Sequence, residues 1–122
     1  MRQILLIDDD PIVNFIHSKV IQSQFPKSEV LVFNNGLTAL EYIKGHRQLS
    51  YLIFLDLNMP VMNGWDFLNA VAAEESELAL QIHVLTSSID PQDKIRAQQN
   101  KLVNSYLSKP LKCEDLQNLA RP

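Results

Sequence analysis

Five short apolar runs recur along the chain: Ile4 to Ile7, Val30 to Phe33, Tyr51 to Leu55, Ile82 to Leu85, and Tyr106-Leu107. Each is of strand length, and the near-continuous apolar character is that of strands buried on both faces. Segments with helical spacing lie between them, and one follows the last. Val13, Ile16, Val20 and Ile21 recur at the 3.6-residue period, which predicts a first helix that turns these four inward. Phe67, Leu68, Val71 and Ala72 repeat the pattern in the third. Strands alternating with helices predict an α/β domain whose parallel sheet is covered on both faces, because right-handed crossovers lay each helix against the sheet.

Local signals set the element ends. Asp10-Pro11 reads as a helix cap followed by proline at the first helical position, and Asn34-Asn35-Gly36 as the turn before the second helix. The fourth helix, about residues 91–100, has Ile95 and Ala97 as nearly its only apolar residues, so it is expected to be the least anchored. Asn100, or else Lys101, is expected to close it in a left-handed conformation. The last helix, about residues 112–120, would turn Leu116, Leu119 and Ala120 inward.

A length of 122 residues fits one domain, and 46% apolar against 20% charged residues excludes intrinsic disorder. Net charge is -3 with no basic run, which argues against a surface for nucleic-acid phosphates. The first apolar run is too short for a signal-peptide core or a membrane span, so a soluble cytoplasmic protein is expected. A single cysteine, Cys113, excludes an internal disulfide and a multi-cysteine metal site.

In open parallel sheets, ligands bind beyond the carboxyl ends of the strands, so the residues following each run carry the chemistry. The first run ends in Asp8-Asp9-Asp10, the third in Asp56, the fourth in Thr86-Ser87-Ser88, and the fifth leads to Lys109-Pro110. Asp10 is accounted for as the cap. Asp8, Asp9 and Asp56 gathered together would repel one another unless a hard dication neutralised them. Mg²⁺ is suited to this, and would also cancel charge on a transferring phosphoryl group. Lys109 adds a positive charge and Thr86 a hydroxyl donor.

These stretches carry a resemblance. Ile4-Leu5-Leu6-Ile7-Asp8-Asp9-Asp10-Pro11, Leu55-Asp56-Leu57-Asn58-Met59-Pro60 with Gly64, Leu85-Thr86-Ser87 and Tyr106-Leu107-Ser108-Lys109-Pro110 resemble, in order and spacing, the receiver domain of two-component response regulators. The resemblance implies a flavodoxin-like, doubly wound five-stranded parallel sheet of order 2-1-3-4-5 with five helices. It implies that Asp56 is the phosphoacceptor for a sensor histidine kinase or phosphotransfer protein, with Lys109 and Thr86 as the other catalytic groups. Asp9, Asp56 and the Asn58 backbone carbonyl would hold Mg²⁺ or Mn²⁺, and Asp8 would act through a bound water. Lys109 would pair with Asp56 before phosphorylation, from a cis Lys109-Pro110 bond. Thr86 and Tyr106 would form the switch, and Asn58 and Ser88 would influence how fast the phosphoryl group is lost.

On this reading residues 1–122 are a receiver with no output domain, a signalling protein and not a turnover enzyme. An unidentified downstream partner would bind the face of the fourth helix, fifth strand and fifth helix. A mid-relay phosphate carrier is the alternative within the family. A Mg²⁺-dependent phosphohydrolase is disfavoured because Asn58, not an acid, stands two residues after Asp56. A flavodoxin-like electron carrier is disfavoured because Asp8-Asp9-Asp10 would repel a phosphate. His17, His46 and His83 are expected to be structural or solvated, and Trp65 a packing or surface residue. The segment Asn100-Lys101-Leu102-Val103 departs from the family pattern by lacking a glycine before the fifth strand.

Overall fold

A computed structural model describes residues 2–74 and 78–119. Five strands, β1 (Arg2–Ile7), β2 (Val30–Phe33), β3 (Ser50–Leu55), β4 (Ala79–Thr86) and β5 (Val103–Ser108), form one parallel sheet of order β2-β1-β3-β4-β5. Helices α1 (Pro11–Gln24), α2 (Gly36–Gly45), α3 (Gly64–Ala72), α4 (Pro91–Gln98) and α5 (Cys113–Leu119) connect and follow them. The expected doubly wound fold and strand order are observed.

Alternate residues of the central strands feed opposite faces of the sheet. Leu5, Ile7, Ile53 and Leu55 pack with Phe67, Leu68 and Val71 of α3 and with α2. Ile4, Leu6, Leu52 and Phe54 pack with Ile21 of α1 and Leu116 of α5. This double burial is why β1 and β3 show no polar alternation. The strands outrun their apolar runs: β4 begins three residues early at Ala79 and β5 at Val103, since edge and strand-end positions tolerate polar side chains.

Some helix expectations need correction. The inward face of α1 is Asn14, His17 and Ile21, whereas Ile16 is 51% exposed and Val13 only half-buried. Ala72 of α3 is exposed, and of the last helix's expected stripe Leu116 is buried, Leu119 half-buried and Ala120 outside the described residues. Helix α4 stops at Gln98, with Ala97 buried and Ile95 exposed. Neither Asn100 nor Lys101 has positive φ, which among the described residues occurs only at Val61. The Asn100 side chain instead accepts from the Leu102 N–H (2.9 Å) and its carbonyl from the Val103 N–H (3.1 Å), turning the chain without a left-handed residue. Trp65 is a packing residue as expected, half-buried, with the Arg96 guanidinium 4.1 Å from its ring centroid.

Val61 has φ 69° in a three-residue turn, closed by the Met62 N–H donating to the Pro60 carbonyl (2.8 Å). A β-branched side chain is strained there, and Val61 is 78% exposed, so its packing offsets little. Val61→Asn should therefore raise stability by about 1 kcal/mol, read as a higher urea midpoint, whereas Val61→Ile, equally β-branched, should not.

His83 lies buried in β4, its Nδ1 2.6 Å from the Ser105 hydroxyl. Burial, helped by the Arg2 charge, lowers its pKa to about 4. The native state thus holds it neutral while an unfolded chain takes up the proton near 6.5. Its contribution is complete above pH 6.5 and lost progressively as the pH falls toward 4. This amounts to about 3 kcal/mol, so acid titration of His83→Gln should show a flatter stability profile across that window. An unchanged profile would refute the assignment.

Candidate functional site

The parallel sheet brings the ends of β1, β3, β4 and β5 to one edge. Asp8, Asp9 and Asp56 meet there, each offering a carboxylate oxygen within 4.8 Å of the others. Asp8 and Asp56 are buried and Asp9 is exposed. Lys109 reaches in from beyond β5, with Nζ 2.5 Å from Asp8 Oδ2 and 3.5 Å from Asp56 Oδ2. The lysine is thus shared between the two acids and sits nearer Asp8, where the resemblance had it paired with Asp56. The Lys109-Pro110 bond is cis.

The backbone fixes the acids. Asp56 N–H donates to the Ile7 carbonyl (2.9 Å), continuing the β1–β3 ladder one step past the strand, and the Leu57 N–H donates to Asp56 Oδ1 (2.9 Å). Asp8 Oδ1 accepts from the Asp10 N–H (3.0 Å). Asp10 is the cap, accepting from the Ile12 and Val13 N–H groups at 3.0 and 3.2 Å. Behind Asp56 lies Gly64, whose N–H donates to the Leu57 carbonyl (3.0 Å) and where a Cβ would come within 2.5 Å of the Asp56 carbonyl oxygen. Only glycine permits that approach.

Burial raises the Asp56 pKa, and the neighbouring Asp8 raises it further, while Lys109 and the Leu57 N–H work the other way. Three carboxylates facing one ammonium leave two negative charges in a partly desolvated site. Oxygen donors with that surplus fit a hard divalent cation such as Mg²⁺.

Thr86 is the last residue of β4, fully buried, and its Oγ1 accepts from the Ser88 N–H (3.2 Å). Ser88 in turn donates to Asp93 of α4 (2.6 Å), linking the loop after Thr86 to that helix. Tyr106 pairs with Val84 across the β4–β5 ladder and is half-buried. Burial raises its pKa, opposed by a hydrogen bond with Ser88. Asn58 is exposed on the loop after Asp56.

The sequence matches the response regulator receiver domain over residues 4–121. The chain belongs to this family. The receiver shares 35% identity over 121 residues with the "Probable methanogenesis regulatory protein FilR2" of Methanothrix harundinacea, covering 93% of this chain and 75% of that protein. It is 25% identical to "Two-component response regulator ORR1" of Oryza sativa subsp. indica, spanning 99% of this chain but 54% of that relative's length. A two-component response regulator crystal structure from Cytophaga hutchinsonii superposes with a TM-score of 0.85 at 32% identity, covering 98% of this chain and 93% of the other. Receivers are signalling domains of two-component systems that interact with histidine kinases or phosphotransfer proteins. Among the described residues, no helix of this receiver is long and apolar enough to cross a membrane.

The receiver's site includes two residues that the strand-end motifs do not reveal, Asn14 and His17 of α1. The Asn14 amide donates to the Asp8 carbonyl (2.7 Å), and His17 Nε2 accepts from the Leu111 N–H (3.2 Å). Two polar residues three apart on a helix were the available signal, masked by the apolar residues around them.

Proposed function

We propose that this receiver takes a phosphoryl group on Asp56 from a phosphohistidine and that the added charge alters its binding to a partner. The observation that carries the reading is the Asp56 carboxylate, buried, raised in pKa, and gathered with Asp8, Asp9 and the Lys109 ammonium at one sheet edge. An Asp56 Oδ attacks phosphorus, an acyl phosphate P–O bond forms, the P–N bond breaks, and its electron pair remains on the departing imidazole.

Asp9, Asp56 and the Asn58 carbonyl would hold Mg²⁺ or Mn²⁺, with Asp8 oriented toward a bound water. The cation supplies charge neutralisation for the phosphoryl oxygens. Lys109, shared between Asp8 and Asp56, turns to the phosphoryl group once it arrives, and the Thr86 hydroxyl donates to a second phosphoryl oxygen. Moving Thr86 breaks the hydrogen bond that its Oγ1 accepts from the Ser88 N–H. The Ser88 links to Asp93 and Tyr106 then carry the change to α4 and β5. A partner on the α4, β5 and α5 face would read it. Asn58, exposed beside Asp56, and Ser88 influence water's access to the acyl phosphate.

The test is incubation with acetyl phosphate and Mg²⁺ followed by intact-mass measurement. The native chain should gain one phosphoryl group and Asp56→Asn none. Equal labelling of the two, or no labelling of the native chain, would overturn the proposal.

A further inference from the structure

Helix α1 inverts the usual rule for a surface helix. Ile12, Phe15 and Ile16 are exposed, at 72%, 64% and 51%, while polar Asn14 and His17 are only 5% and 2% exposed. Each of the buried pair holds one of the two backbone segments that carry the Asp8–Lys109 ion pair. Asn14 grips the Asp8 carbonyl at the end of β1, and His17 grips the Leu111 N–H, two residues beyond Lys109. Asp8 and Lys109 are themselves 2.5 Å apart. One turn of α1 therefore bonds to both backbone segments that carry the ion pair.

Packing does not explain these side chains. Among the described residues, Asn14 Oδ1 and His17 Nδ1 are buried with no hydrogen-bond partner, a desolvation cost that an apolar side chain would not carry, and what each gives in return is its bond to the Asp8 carbonyl or the Leu111 N–H. The acceptor role of Nε2 puts the remaining proton of a neutral ring on Nδ1. Burial and then the Lys109 charge favour that neutral ring, against the opposing pull of Asp8. The imidazole is thus in the form that accepts from Leu111.

We propose that Asn14 and His17 are positioning residues for phosphoryl transfer, with Asn14 setting the end of β1 and His17 the loop after β5, so that Asp8 and Lys109 meet correctly beside Asp56. The kinetic part of this proposal rests on Asp56 being the phosphoacceptor. Its geometric part, the hold on Leu111 and hence on Lys109, stands apart from that reading.

The decisive pair is His17→Met and His17→Gln. The two unbranched side chains have similar shape, and only glutamine carries an oxygen able to accept from the Leu111 N–H. Labelling by acetyl phosphate should slow by about 10- to 100-fold in His17→Met and recover largely in His17→Gln, at a temperature where circular dichroism shows both variants fully folded. Faster exchange of the Leu111 amide should accompany the slower labelling. Native-rate labelling of His17→Met, or equal rates for the two variants, would overturn the proposal.

Two measurements on the native chain separate the possible failures. If native protein takes up no phosphoryl group, the phosphoacceptor reading fails, and Leu111 amide exchange in the two variants still decides the geometric claim. If neither variant folds, the native chain decides it through the ¹⁵N shift of His17 Nε2 and the Leu111 exchange rate. An unprotonated nitrogen accepting a bond, with a protected Leu111 amide, supports the hold. A protonated Nε2, or Leu111 exchanging like a free loop amide, overturns it.

Discussion

In divalent-free buffer at neutral pH, Asp56→Asn should be more stable than the native receiver, by about 0.5–2 kcal/mol, although the same change should abolish phosphorylation. The native carboxyl is 6% exposed, and burial followed by the Asp8 charge raises its pKa. For an acid raised in this way, the stabilising contribution is fully present below the ordinary value near 3.8 and disappears as the pH rises through the higher folded value. At neutral pH the ionised group burdens the fold, and asparagine removes the charge while keeping the shape. Lys109 opposes this at 3.5 Å, but it also lies 2.5 Å from Asp8 and retains that partner in the variant.

Mg²⁺ should reverse the order of effects. A cation bound only by the folded state stabilises it by mass action, and the native chain presents three clustered carboxylates where Asp56→Asn presents two. Thermal melts with and without Mg²⁺ should show a large gain for the native chain and a smaller one for the variant. A variant less stable than native in the absence of the ion, or equal gains in its presence, would refute the charge argument without touching the labelling result.

Gly64→Ala should lower stability by about 2–3 kcal/mol and slow labelling of Asp56. The added Cβ would stand 2.5 Å from the Asp56 carbonyl oxygen and 2.8 Å from Leu57 Cα. Both are backbone atoms at the end of a central strand, so relief requires moving the segment that carries Asp56. At Gly36 the nearest atoms include the flexible Met62 side chain at 3.0 Å, although the Met62 carbonyl oxygen lies at 2.9 Å, and a smaller loss is expected. Gly45, with nothing within 4 Å of an added Cβ, is the control: Gly45→Ala should be neutral or gain up to about 1 kcal/mol. Urea unfolding of the three variants orders them, and a Gly64→Ala midpoint equal to that of Gly45→Ala would refute the close-approach argument.

The two effects share an origin. Burying Asp56 against Asp8 and seating its backbone against Gly64 give the acid a defined position and a raised pKa, and both raise the sensitivity of the fold to change at this edge. The exposed cap Asp10 lies beside the same acids, yet its carboxylate serves α1 through bonds from the Ile12 and Val13 N–H groups, and only its backbone N–H touches the site, at Asp8.

What the amino-acid order determined was the α/β class with its doubly covered parallel sheet and the identity of the clustered acids, while the strand order came from the family resemblance. Apolar runs without alternation demand a sheet buried on both faces, and parallel strands carry whatever follows them to one edge, so Asp8, Asp9, Asp56, Thr86 and Lys109 were readable as a set before any distance was known. Asn100 misled because its side chain offered the turn a hydrogen bond that made a left-handed residue unnecessary. Tertiary structure alone decided how Lys109 divides itself between Asp8 and Asp56, and which face of α1 turns inward. Periodicity ranks Ile16 above His17 for burial, because it counts transfer from water and has no knowledge of a backbone N–H waiting at Leu111. Partners 94 positions apart in the chain meet only after the sheet has formed, and their hydrogen bonds, unlike the apolar runs, leave no repeating mark along the sequence.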